Sequence, residues 1–214
     1  GTFIPDVGEP QANIVYTRSL KSNTWYGPIR KSIANTANNG IFVDLTYDKD
    51  RKLLGVCMEE VNGRYVYNIY KKSGNDICSE WIKMPDSKDP HVGKMRSIIY
   101  DTDGKLIGCN AHDGQLYKKE STSFTSEWIG PINVDMKVKK VMFDHIDGVM
   151  LGINADDNKI YRKSGKDWTR ESWDKEYSSN VEVIDMFHDL DGCLIASTKN
   201  GIMKQIEPNF LSEF

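Results

Sequence analysis

The sequence has little of what usually marks a catalytic, metal-binding or membrane protein. None of the apolar runs in its 214 residues approaches the roughly 18 that a membrane-crossing helix needs, so no membrane span is expected. The four cysteines, Cys57, Cys78, Cys109 and Cys193, stand at irregular spacings with no C-x-x-C pair, which removes the common zinc patterns. Cys57, Cys109 and Cys193 lie in apolar, strand-like segments and read as buried free thiols. The four histidines, His91, His112, His145 and His188, are spread over three stretches without H-x-x-x-H spacing. A nucleophile elbow, a phosphate loop and a Cys/His pair at a family spacing are all missing. A basic excess is missing too: net charge is −3, so no nucleic-acid partner is expected. The 28 Lys and Arg residues are scattered along the chain and read as a solvated surface. The missing N-x-S/T sequon leans towards an intracellular or granule-stored protein or one not glycosylated, and a mature secreted chain would have lost its leader; the expected location is secreted or granule-stored, with the cytoplasm as the alternative. The expectation is a protein that is not an enzyme, with no cofactor and no metal.

What the sequence does have is a worn internal repeat, which is best found before any element is assigned. Five short strands end in basic or polar residues: Ile14–Arg18, Asn68–Lys72, Gln115–Lys119, Lys159–Lys163 and Gly201–Gln205. Each is followed by a polar loop and then an aromatic: Trp25, Trp81, Trp128, Trp173 and Phe214. These markers lie 56, 47, 45 and 41 residues apart, a period shared by propeller blades and by helical repeats. Local pattern decides between them. Apolar runs of a few residues alternate with turn residues such as Asp147-Gly148, and tight hairpin turns need the positive φ that Asp-Gly supplies. No window carries a sustained i, i+3, i+4 apolar stripe, so the expected fold is all-β, a single propeller of four-stranded antiparallel blades.

Four strands, A to D, are assigned within a unit. Strand A is Val43–Asp48, Ser97–Asp101, Lys140–Asp144 and Ile184–His188. Strand B follows an Asp-rich turn and carries a recurrent small residue, Gly55, Gly108, Gly152 or Ala196, where a ring or backbone is expected to come close. Strand C is the Ile/Leu-Tyr-basic run. Strand D opens at the marker aromatic and holds proline in Trp25–Ile29 and Trp128–Ile132, which suits an outer edge. An apolar residue precedes each marker: Leu20, Ile77, Phe124, Trp168 and Phe210, all expected to pack. The units run approximately 1–29, 30–84, 85–132, 133–177 and 178–214 and make one domain. Five blades are favoured. Four result if 1–22 is an extension and Trp25–Ile29 completes the last sheet.

The unit resembles the tachylectin and tectonin propeller lectins. The likeness rests on Trp128-Ile129-Gly130-Pro131-Ile132, Phe143, Asp147-Gly148, Leu151-Gly152 and Ile160-Tyr161, with their counterparts elsewhere, and covers most of 25–205. It implies binding of N-acetylated sugars or bacterial surface glycans at repeated sites, without metal. The Gly-Gly-Trp that precedes strand A in tachylectins is absent here, so their sugar site does not transfer residue by residue.

Candidate ligand groups therefore come from the chain itself. In a propeller the B–C and D–A connections share one face. The B–C tips offer Asn110, His112, Asp113, Asn154, Asp156, Asp157 and Asn200, and the D–A loops offer Asn38, Asn39 and His91. Short amides and carboxylates on a rigid frame can hydrogen-bond sugar hydroxyls, although any hairpin tip contains them. The expected partners are glycans or glycoconjugates, with a protein partner as the alternative. The Asp-x-Asp-Gly turns at Asp101–Gly104 and Asp189–Gly192 look like the start of a calcium loop, but the twelfth position counted from Asp101 is His112 rather than Glu, and turn chemistry explains them.

Overall fold

A computed structural model describes residues 40–76, 79–89, 92–132, 135–144, 148–163, 173, 182–188 and 191–207, together with the backbone of 17–18, 25–26, 133 and 175–177. The chain forms two compact units, Gly1–Asp86 and Ser87–Phe214. Every described element is a strand.

The first unit holds a two-stranded sheet, β1 (Thr17–Arg18) with β2 (Trp25–Tyr26), and a four-stranded sheet of β3 (Ile41–Tyr47), β4 (Leu53–Val61), β5 (Arg64–Lys72) and β6 (Trp81–Lys83). The second unit holds three sheets. These are β7 (Met95–Tyr100), β8 (Leu106–Asn110), β9 (Leu116–Lys119) and β10 (Trp128–Asn133); β11 (Val138–Asp144), β12 (Val149–Asn154), β13 (Ile160–Lys163) and β14 (Lys175–Tyr177); and β15 (Val183–His188), β16 (Leu194–Thr198) and β17 (Gly201–Lys204). Pairing is antiparallel throughout and follows the A-B-C-D order, with D on the edge of each four-stranded sheet. In β1–β2 the pair Arg18↔Trp25 repeats Lys72↔Trp81 and Lys119↔Trp128, so this hairpin is the C–D half of a unit.

The turns explain much of the repeat. The Oδ1 atom of Asp48 accepts the Asp50 and Lys52 N–H groups at 2.9 and 2.7 Å, and that of Asp101 accepts Lys105 N–H at 2.7 Å. The other carboxylate oxygen meets the next-to-last residue of strand C: Lys71 at 2.6 Å from Asp48, Lys118 at 2.7 Å from Asp101. The calcium-like turn at Asp101 is thus internally satisfied.

The small residue of strand B makes room for rings. A Cβ at Gly152 would lie 2.5 Å from the Trp173 indole, and one at Gly55 2.4 Å from the Phe42 ring, which stacks on Trp81 at 4.8 Å. The last residue of strand C then lies over the indole. Lys72 Nζ is 4.5 Å from the Trp81 ring centroid, Lys119 Nζ 4.7 Å from that of Trp128, and Lys163 Nζ 5.8 Å from that of Trp173. These lysines are only 2, 3 and 0% exposed. The expectation of a solvated basic surface therefore fails at these three positions. The quadrupole of the indole and a backbone carbonyl replace water around the ammonium: Lys72 donates to Ser79 O at 2.6 Å, and Lys119 donates to Ser126 O.

In the second unit the sheets pack on one another. Ile99, Ile107, Cys109 and Leu116 of one sheet bury against Val138, Val141 and Met150 of the next. Leu151, Ile153 and Ile160 bury in turn against Val183, Met186, Leu194 and Ala196. Cys57, Cys109 and Cys193 are buried free thiols. Burial, then the charge of Glu59, pushes the Cys57 thiol up to about 12.

Three details depart from the sequence reading. Strand C of the first unit begins at Arg64 rather than Asn68, because Asn62 and Gly63, with φ of 53° and 73°, make a two-residue hairpin turn. Among the described residues the ribbon 59–66 is paired only with itself, beyond the last pairs that β3 and β6 make with this sheet. Strand D of the fourth predicted unit begins at Lys175, two residues after its marker Trp173. Among the preceding apolar residues, Phe124 is half-buried, whereas Leu20, Ile77, Trp168 and Phe210 lie outside the described residues.

Candidate functional site

The B–C turns of the second unit share one plan. Asn110, Asn154 and Thr198 end strand B at the same register position. Each accepts a backbone N–H from two residues on: His112 at 2.7 Å, Asp156 at 2.8 Å and Asn200 at 3.1 Å. Asn110 is fully buried and also accepts the Asp113 N–H. The next carboxylate is clamped by the strand-C tyrosine. Tyr117 OH donates to Asp113 Oδ2 at 2.8 Å, and Tyr161 OH to Asp157 Oδ2 at 2.7 Å. Burial, then the bond to Asp113, pushes the Tyr117 hydroxyl up to about 12. In the first unit Glu59 plays this part, accepting from Tyr70 OH at 2.5 Å and Asn68 Nδ2 at 3.1 Å.

The predicted site residues therefore divide. Asn110 and Asn154 cap turns, and Asp113 and Asp157 are held by tyrosines. His112, Asp156 and Asn200 are exposed. Asn38, Asn39 and His91 lie outside the described residues.

The residue before β7 and the residue before β11 dock onto these turns. Ala111 N–H donates to Lys94 O at 2.7 Å and Ala155 N–H to Lys137 O at 2.9 Å. Neighbouring sheets are linked the same way: Val138 N–H donates to Gly114 O at 2.7 Å, and Val183 N–H to Asn158 O at 2.8 Å. Turns and strand starts thus lie at one end of the sheets.

Here the sequence reading missed two residues. Every long strand A breaks register near its start, at Val43 after two paired residues and at Arg96, Lys139 and Ile184 after one. Such bulges re-aim side chains and concentrate beside functional sites. At β7 and β11 the bulged residues are both cations. These strands are adjacent, tied by Val141 N–H donating to Ser97 Oγ at 3.1 Å. Arg96 Nη2 donates to Ala111 O at 2.8 Å, beside His112, and Lys139 Nζ donates to Asn158 Oδ1. Burial, and then the Arg96 charge, lowers the Lys139 pKa, while Glu182 raises it. Glu182 itself pairs with Lys199 at 3.6 Å. The signal was present in sequence as Lys94-x-Arg96 and Lys137-x-Lys139, the same basic pair at the same place in consecutive units.

Among the described residues no group of three or more His, Cys, Asp or Glu could hold a metal ion. No described helix is long and apolar enough to cross a membrane.

No family model and no curated protein matches the chain by sequence. Solved structures match in shape. A protein carrying a provisional gluconolactonase name aligns with TM-score 0.60 at 15% identity over 91% of this chain and 67% of its own. A streptogramin B lyase aligns with TM-score 0.51 at 12% identity over 92% and 63%. A Bacteroides thetaiotaomicron protein of unknown function aligns with TM-score 0.54 at 11% identity over 87% and 48%. The chain spans about half the length of the first structures it matches, at 56, 48 and 48%. The first two of these neighbours are β-propellers, and together with the repeated four-stranded sheets they assign the propeller fold here. At such identities the likeness carries the fold alone.

Proposed function

We propose that the chain is a non-enzymatic carbohydrate-binding propeller, with N-acetylated glycans the ligands that its resemblance to the tachylectin and tectonin lectins implies. One observation carries this reading. His112, Asp156 and Asn200 occupy the same position on three successive turns, each exposed, each with its N–H fixed by the cap two residues earlier. Polar groups repeated on rigid turns suit sugar hydroxyls, and engaging several weak sites together raises avidity by roughly 10²- to 10⁴-fold. The test is a glycan array with the folded protein and with a His112→Ala, Asp156→Ala, Asn200→Ala variant. Binding is expected for the parent and lost in the variant at unchanged melting temperature. A folded parent that binds no glycan sinks the reading.

The ribbon 59–66 favours a second reading, a protein partner. Among the described residues no strand pairs with either of its edges, and Val61 and Tyr65 are 37 and 67% exposed. An extended peptide can add a strand to such an edge. Stoichiometric capture of one protein, lost when the ribbon is shortened to a turn, would select this reading over the first.

A further inference from the structure

The Arg96–Lys139 pair is not explained by the turns it supports. One hydrogen bond from each cation already holds its own turn, through Ala111 O and Asn158 Oδ1. What remains is two positive side chains within Coulomb reach on adjacent strands, both displaced by bulges. Like charges held together are unfavourable unless something of opposite sign comes between them. Glu182 is the acidic group that reaches Lys139, and it is already paired with Lys199. Asp185 is taken up by Lys140 at 3.1 Å. The Nε–H of Arg96 is buried and has no acceptor among the described residues, an unmade bond that costs about 1–3 kcal/mol. Two unfavourable features beside the same two turns suit the binding of an anion.

We propose that the ligand of this face carries a carboxylate, as in a uronic or sialic sugar, held between Arg96 and Lys139. This rests on the carbohydrate reading and narrows it to acidic sugars. The guanidinium fork suits a planar carboxylate and the ammonium acts as a point charge beside it. His112, next in sequence to the Ala111 carbonyl that Arg96 holds, and Asn158, held by Lys139, stand where neighbouring hydroxyls would lie. Lys94 and Lys137, each immediately before the same two strands, add positive field that draws an acidic ligand in.

The experiment titrates the full chain with glucuronate, glucose, N-acetylglucosamine and acetate, following affinity by calorimetry and the Arg96 Nε–H signal by nitrogen-proton correlation spectroscopy. Glucuronate is expected to bind roughly tenfold more tightly than glucose and to move the Nε–H signal. Arg96→Gln and Lys139→Gln should each abolish the preference, Arg96→Lys should recover part of it, and Lys140→Gln, with the same change in net charge, should leave it intact. Thermal melts confirm that each variant is folded. Equal binding of neutral and acidic sugars overturns this inference while leaving the carbohydrate reading in place. Acetate moving the Nε–H signal while no sugar binds overturns both. Loss of the preference in Lys140→Gln as well overturns it by showing a general charge effect.

Discussion

Replacing Lys119 by Met isolates the energetics of the buried lysines. The side chain is almost wholly out of water, over the Trp128 ring and bonded to Ser126 O. Burial lowers its pKa from 10.5 to about 8, with Glu127 opposing the shift. Between pH 8 and 10.5 the unfolded chain therefore holds a proton at this lysine that the folded chain has released, so its contribution to stability rises with pH across that window. Integrated from pH 7 to 10, the gain is ~2.5 kcal/mol. Met keeps the length and the packing on the indole but does not titrate. Urea unfolding of parent and Lys119→Met at pH 7, 8, 9 and 10 gives the difference, which cancels the opposite trend of the tyrosines. The parent should gain on the variant by ~2–3 kcal/mol over the series. A difference that stays flat with pH would refute a buried, depressed lysine at this position.

The glycine that faces an indole is similarly testable: Gly152→Ala puts a methyl 2.5 Å from Trp173 and should destabilise by ~1–3 kcal/mol in the same assay, whereas the last sheet already carries Ala196 there. Gly63→Ala meets no neighbouring atom, so any loss, ~1 kcal/mol, comes from its φ of 73° alone. Asn110→Ala removes an acceptor for two buried-turn N–H groups and should cost ~1–3 kcal/mol, while His112→Ala stays within ~0.5 kcal/mol and affects only ligand binding. Equal destabilisation of those two variants would contradict the division between cap and presented residue.

The order of strands, the outer place of D and the close approach at Gly55 and Gly152 were legible because each is a local signal: turn residues, an edge proline, a missing side chain. The fate of Lys72, Lys119 and Lys163 was not, since it depends on an indole met nine or ten residues later and on the glycine that admits it. Asn110 and His112 are equally polar in sequence. Only the direction of the turn separates the buried cap from the exposed tip. Asn62-Gly63 is a strong hairpin signal that the repeat spacing obscured, because the other units turn sooner. Arg96 and Lys139 left a trace in sequence, the recurring Lys94-x-Arg96 and Lys137-x-Lys139, but the bulge that re-aims them is not a local signal.

The ribbon that ends at Asn62-Gly63 has a consequence for the protein in concentrated solution. A bare strand rim is a template on which a second copy can grow, and natural sheets guard such rims with charge. Glu60 and Arg64 are exposed near its tip, so neutralising both would turn the ribbon from a guarded rim into a seed for aggregation.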